Sequence, residues 1–105
     1  MVARLTIYEH VDLALADQVR DFFAELDRDP FADLPGYRGQ MTLLDRDNAR
    51  LVGVGFYESA GHAQEAEAIL AAPPAAWTDQ VPEHIKPALA MTPDSSGLYE
   101  VVDRT

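Results

Sequence analysis

Residues 2–10 alternate in character: Ala3, Leu5 and Ile7 fall on one side, and Arg4, Thr6, Tyr8 and His10 on the other. A period of two is the signature of a strand. Asp12 then stands where a helix N-cap belongs, because its carboxylate can accept the orphan amide protons of a first turn. Leu15, Val19, Phe22, Phe23 and Leu26 follow at helical spacing and form one apolar stripe. Asp29-Pro30 predicts the end of that helix, since a residue before proline is disfavoured in the α region, and Leu34-Pro35-Gly36 reads as a turn.

Alternation resumes over Tyr37 to Asp45 and over Arg50 to Glu58, with Arg46-Asp47-Asn48-Ala49 as turn chemistry between them, so the two strands form an antiparallel hairpin. In the later strand Val52, Val54 and Phe56 share one face, and Leu51, Gly53, Gly55 and Tyr57 the other. Two glycines on one face predict a groove. Ser59 caps a second helix that runs to about Ala71, whose inner side is Ala63, Ala66, Ile69 and Leu70, and Pro73-Pro74 stops it. Ala75 to Ser96 has no sustained period; a short helical turn near Trp77 and an extended piece at Ala88–Met91 are expected within an irregular cover. Leu98 to Asp103 alternates again and predicts a last strand.

Strand, helix, hairpin, helix, cover and strand in that order give an α+β fold. It is the ferredoxin-like split β-α-β arrangement with an antiparallel four-stranded sheet, and residues 1–105 make one domain. Right-handed crossovers place both helices on one sheet face. The other face is expected to keep Thr6, Tyr8, Gln40, Thr42 and Tyr57, too aromatic to stay wet, with the same face of a second copy as its cover in a homodimer.

Composition narrows the partners. The formal charge is −10, from 18 acidic against 8 basic residues, and no basic stripe exists to neutralise phosphates, so nucleic acid and anionic membrane surfaces are not expected partners. With 48% hydrophobic residues the chain has material for a core. A domain of this length buries only about two-thirds of its unfolded surface, which favours self-association. There is no cysteine, hence no disulfide, thiolate metal site or cysteine nucleophile. Residues 1–15 lack a basic start followed by an apolar block and a cleavage site, and no apolar run approaches the ~20 residues of a membrane span, so a cytoplasmic protein is expected. Seven Arg beside one Lys, with abundant Ala, fit a GC-rich bacterial genome.

The Leu34-Pro35-Gly36-Tyr37-Arg38-Gly39 turn, the Val52-Gly53-Val54-Gly55-Phe56-Tyr57-Glu58-Ser59 junction and Leu98-Tyr99-Glu100-Val101 resemble the dimeric α+β-barrel superfamily, and within it the antibiotic-biosynthesis-monooxygenase-like (ABM-like) domains. The likeness runs in order from Val2 to Asp103 through short motifs, and bears on fold more than on activity. It implies relatives that include cofactor-independent oxygenases of polycyclic phenols, haem-degrading enzymes and lactone isomerases. The haem-degrading branch uses an Asn on the first strand, a Trp on the second helix and a His after it. Here the one Asn is Asn48 in a hairpin turn, Ala66 aligns with the Trp, and His84 lies too far along, so that branch is disfavoured and no cofactor is expected.

A cofactor-free oxygenase needs a base to form a substrate carbanion and donors to hold the oxyanion. His10 is the candidate base, with Tyr8, Arg38, Gln40 and Tyr57 as candidate donors; the alternative is a solvated strand-end His10 and tyrosines that pack at a subunit contact. Gly53, Gly55 and Trp77 are the candidate lining of a pocket for an apolar small molecule. Trp77 reads either as a lid or as a loop anchor. His62, near the start of the second helix and expected to be exposed, and His84 have no metal spacing between them, and no metal is expected. Gly53-Val54-Gly55 is not a dinucleotide fingerprint, because the third glycine would fall at Glu58 and the motif lies inside a strand. Glu9, Glu58 and Glu100 are expected to pair at the surface with Arg4, Arg38 or Arg50, and Glu65 and Glu67 to be solvated. No Ser-His-Asp order, phosphate loop or metal-binding helix motif supports a hydrolase, kinase or metalloprotease. A small-molecule-binding homodimer, acting as a monooxygenase, is therefore expected, with a non-catalytic ligand-binding or structural dimer as its alternative.

Overall fold

The alternating segments become strands, and the 3.6-residue stripes become helices. The computed structural model describes residues 1–26, 31–73, 75, 79–89 and 91–104. β1 is Val2–Tyr8, α1 Leu13–Ala24, β2 Tyr37–Asp45, β3 Arg50–Tyr57, α2 Ala60–Ala71 and β4 Ser95–Glu100, with a short helical turn at Lys86–Leu89. The sheet order is β2-β3-β1-β4, antiparallel throughout. This is the expected split β-α-β topology.

Both N-caps are formed as expected. Asp12 Oδ1 accepts from the Leu15 amide at 3.2 Å and Ser59 Oγ from the His62 amide at 3.2 Å, each satisfying an otherwise orphaned first-turn donor. α1 ends at Ala24, sooner than the sequence suggests; Asp29-Pro30 lies outside the described residues. Gly36 takes φ +62°, and a Cβ there would meet the His62 ring, so the turn into β2 needs glycine for conformation and for space.

The register corrects the assignment of sheet faces. Val2, Tyr37 and Tyr57 pack with Leu34, Ala63, Ala66 and Ile69, so α2 covers the side of Tyr57. Residues opposite one another in a ladder share a face, which puts Arg4, Thr6, Tyr8, Gln40, Thr42, Gly53 and Gly55 on the helix side as well. The far side carries Ala3, Leu5, Ile7, Met41, Leu43, Val52, Val54, Phe56 and Tyr99. The reason is shape: small Ala63 and Ala66 can approach closely only where the sheet supplies large rings, and Tyr37 and Tyr57 do. The more apolar face is thus the uncovered one, with Leu43 52% and Tyr99 58% exposed. At its rim the Arg104 guanidinium lies 4.5 Å from the centre of the Phe56 ring.

Three smaller expectations are also corrected. Leu70 turns outward from α2. The segment expected to extend at Ala88–Met91 begins instead within the helical turn Lys86–Leu89. β4 begins at Ser95, because Ser95, Ser96 and Gly97 pair with Ile7, Thr6 and Leu5; the strand is set by its partner, not by its own alternation. The expected turn near Trp77 lies outside the described residues. Among the described residues no helix is long and apolar enough to cross a membrane.

α1 is held to the hairpin by charge. Arg46 in the β2–β3 turn donates to Asp17 through two nitrogens, at 2.8 and 3.2 Å. That hydrogen bond, foremost, and the nearby Arg46 and Arg20 charges hold the Asp17 carboxyl below its ordinary range. The Asn48 side chain and amide do the same for Asp45. A carboxylate with a depressed folded pKa stabilises the fold above its unfolded value and loses that contribution as pH falls through the folded one. The double variant Asp17→Asn/Asp45→Asn should therefore lose less melting temperature than the wild type as pH drops below about 4. Parallel acid limbs in thermal melts would show that these contacts carry no linkage.

Candidate functional site

The helix side of the sheet has two unlike halves. Over the Val2 end, α2 is sealed: Ala63 is 1% and Ala66 0% exposed, and Tyr37 meets Tyr57 edge-to-face with ring centres 6.2 Å apart. Burial raises the Tyr57 phenol pKa, only partly offset by the Arg4 charge. Over the Tyr8 end, α1 buries none of its twelve residues; Leu15, Val19, Phe22 and Phe23 stay half-buried. Gly53 lies between Thr6 and Thr42 in the ladder, and Leu51 between Tyr8 and Leu44. Thr42 and Gln40 are exposed, Thr6 and Tyr8 half-buried. A polar row with glycine at its middle thus lies on the helix side of the sheet, and α1 buries none of its own residues.

The two strand glycines have different surroundings. A Cβ at Gly53 would lie 2.8 Å from Thr6 Oγ1, a short side chain, whereas at Gly55 it would meet the Tyr57 ring at 3.1 Å. Tyr57 therefore leans back and fills the groove expected at Gly55. Glycine there makes room for the protein's own ring.

The candidate catalytic residues do not share one place. Tyr8 pairs with Leu51 and Val2 with Tyr57, so Tyr8 and Tyr57 stand six positions apart along the ladder, about 20 Å at strand rise. His10 belongs to the Tyr8 end, exposed and in the left-handed region at φ 54°. Arg38 belongs to the other end, exposed and ion-paired with Glu58. Trp77 lies outside the described residues. His62 is half-buried, against the expectation of exposure: its ring packs on Gly36 and its Nδ1 is 2.8 Å from Ser59 Oγ.

Two residues carry more than their sequence context suggested. Arg4 pairs at 2.9 Å with Glu67 of α2, so Glu67 is not simply solvated; Arg50 pairs as expected with Glu9, at 2.7 Å. Arg4 and Glu67 line an open-sided cleft of about 110 Å³ between α2 and β4, with Ala63, Gln64, Ser96, Gly97 and Leu98. Part of the signal was present in the sequence: an arginine inside a strand that a helix covers needs a partner. Among the described residues, no three His, Asp or Glu side chains gather as a metal-ion site.

No family model matches this sequence, and no curated protein does. The fold does match. The heme-degrader MhuD from Mycobacterium tuberculosis, solved with two hemes bound in its active site, superposes with a TM-score of 0.58 at 19% identity, over 99% of this chain and 97% of that one. The two chains share a fold. At that identity the likeness speaks for architecture alone, the ferredoxin-like α+β arrangement with sheet order β2-β3-β1-β4.

Proposed function

We propose that this chain is a homodimeric small-molecule-binding domain that lodges an apolar or aromatic compound between α1 and the sheet and acts on it as a cofactor-independent monooxygenase. Two observations support the reading: the Thr6–Gly53–Thr42 row, with Tyr8 beside it, is on the helix side of the sheet, and α1, tied to the β2–β3 turn through Asp17 and Arg46, leaves its apolar stripe half-buried. An apolar guest would bury that stripe, and the hydroxyls would orient it.

In the chemistry of this class a base removes a proton from a methylene carbon that is conjugated to a carbonyl through aromatic rings. The carbanion reacts with O2, one oxygen stays on that carbon as a ketone, and the other leaves as water with the two hydrogens the carbon gives up. His10 is the base available at the Tyr8 end, and the Tyr8 hydroxyl can donate to the oxyanion. Oxygen uptake with anthrone is the test. Uptake above buffer is expected, falling at least about a hundredfold in His10→Ala, the scale of a lost general base. No uptake would remove the enzymatic reading.

Heme, the guest of MhuD, fits these residues poorly. Ala66 is wholly buried beneath α2, Asn48 Nδ2 donates to Asp45 in the hairpin turn, and His62 is committed to Ser59 and Gly36. His84 is exposed in the cover. None presents an axial ligand to a space of porphyrin size. Titration with heme should leave its absorption band unshifted.

A second reading, a non-catalytic dimer, draws on the exposure of His10 and on the size of the cleft, about 110 Å³ against the ~300 Å³ of a drug-sized site. It predicts binding of an apolar fluorescent probe with no oxygen consumption, or no binding at all.

A further inference from the structure

On the β4 side of α2 the fold holds a guanidinium with donors to spare. Arg4 rises from the middle of β1 with its side chain 19% exposed and gives one N–H to Glu67. No other described residue accepts from it. Glu67 is 54% exposed and meets Arg4 end-on, through a single nitrogen, so a bidentate fork remains unused. Gly55 lies directly opposite Arg4, and the Tyr57 ring leans over Gly55 with its hydroxyl 3.3 Å from where a Cβ would be. Ser96, in register with Thr6, and Gln64 add polar groups to the same cleft, and Ala63 and Leu98 add apolar wall.

We propose that this cleft binds a short-chain carboxylate, anchored by the Arg4 guanidinium, with Glu67 as the occupant that the ligand displaces. The chemistry is matched on three counts. A planar carboxylate accepts two parallel N–H bonds from arginine, which a charged side chain tethered on α2 does not achieve here. Glu67 is the exposed partner, and the ligand's carboxylate would take over its charge beside Arg4, so the displacement costs little. The volume of about 110 Å³ is below the ~150 Å³ that accommodates a benzene ring, which limits the ligand to about two to four carbons. The net charge of −10 opposes an anion at long range, but beyond about 8 Å that field is screened at physiological salt, and the charges that line the cleft are the Arg4 guanidinium and the Glu67 carboxylate that the ligand displaces. This inference does not rest on the monooxygenase reading: the cleft is lined by α2, β4 and Arg4 and not by α1, and is too small for an aromatic substrate.

The test is an amide-resolved NMR titration with sodium butyrate against sodium chloride at matched ionic strength. Saturable shifts at Gln64, Ser96 and Gly97 are expected with butyrate alone. Glu67→Gln should tighten binding about threefold by removing the competing carboxylate. Arg4→Gln should weaken it at least about tenfold, the scale of a charge-assisted hydrogen bond. Should Arg4→Gln not fold, Glu67→Gln decides: unchanged or weaker binding overturns the proposal. So do shifts equal to those of chloride, the absence of saturation in the wild type, or phosphate binding as tightly as butyrate.

Discussion

Val54→Asp is expected to yield a folded monomer, with self-association weakened more than a hundredfold in sedimentation or light scattering. Val54 faces Leu5 across one ladder and Met41 across the other, at the centre of the apolar face that neither helix covers. In a lone chain the new carboxylate would be partly hydrated, because Val54 is only half-buried, and the fold would lose little. Between two apposed faces it would lie among Leu5, Ile7, Val52 and Phe56, with Arg104 engaged over Phe56 at the rim, and twofold symmetry would bring its copy nearby. Burying an unpaired charge costs at least about 3 kcal/mol, which is more than two decades in a dissociation constant. Gln40→Asp, on the helix side and exposed, is the control and should leave association unchanged. If Val54→Asp associates as tightly as the wild type, the bare face is not where copies meet.

Ala66→Trp is expected to destabilise the fold by about 3 kcal/mol, a fall of roughly 15 °C in melting temperature for a domain of this size. Ala66 is completely buried, one helical turn beyond Ala63 and against Tyr57 and Leu34, so an indole has nowhere to go without lifting α2 off the sheet. The substitution also separates two accounts of this position. Were the chain a heme-degrader that had lost its tryptophan, a vacated space would remain, and the ring would be tolerated or would stabilise. Close packing of α2 predicts the loss, read from thermal melts beside the milder Ala66→Val. A wild-type melting temperature in Ala66→Trp would contradict the sealed core.

Much of the fold was legible because its signals are local. The alternation of Ala3, Leu5 and Ile7 against Arg4, Thr6 and Tyr8 placed β1, Asp12 and Ser59 marked both helix starts, and β2 matched its expected limits. What failed depended on distant partners. Ser95-Ser96-Gly97 has no strand character of its own and is drawn into the sheet by β1. Which face the helices take is likewise not written in alternation, since both faces of these strands alternate equally well. The face was decided by small alanines on α2 seeking large rings on the sheet. The candidate site was less legible still. Tyr8, His10, Arg38 and Tyr57 all fit the chemistry as residue types, yet the antiparallel register sends the first two and the last two to opposite ends. Arg4 and Glu67, which do meet, are 63 residues apart.

The bare sheet face has Leu5, Ile7, Val52, Val54 and Phe56 along its middle and Met41, Leu43 and Tyr99 toward its edges, and we propose that a second copy of the chain completes it. Sedimentation equilibrium of the unmodified protein across the micromolar range tests it most directly. A dimer that persists to low micromolar concentration, with a melting temperature that rises with protein concentration, is the expected result. A single species of 11.6 kDa with a concentration-independent melting temperature would contradict it.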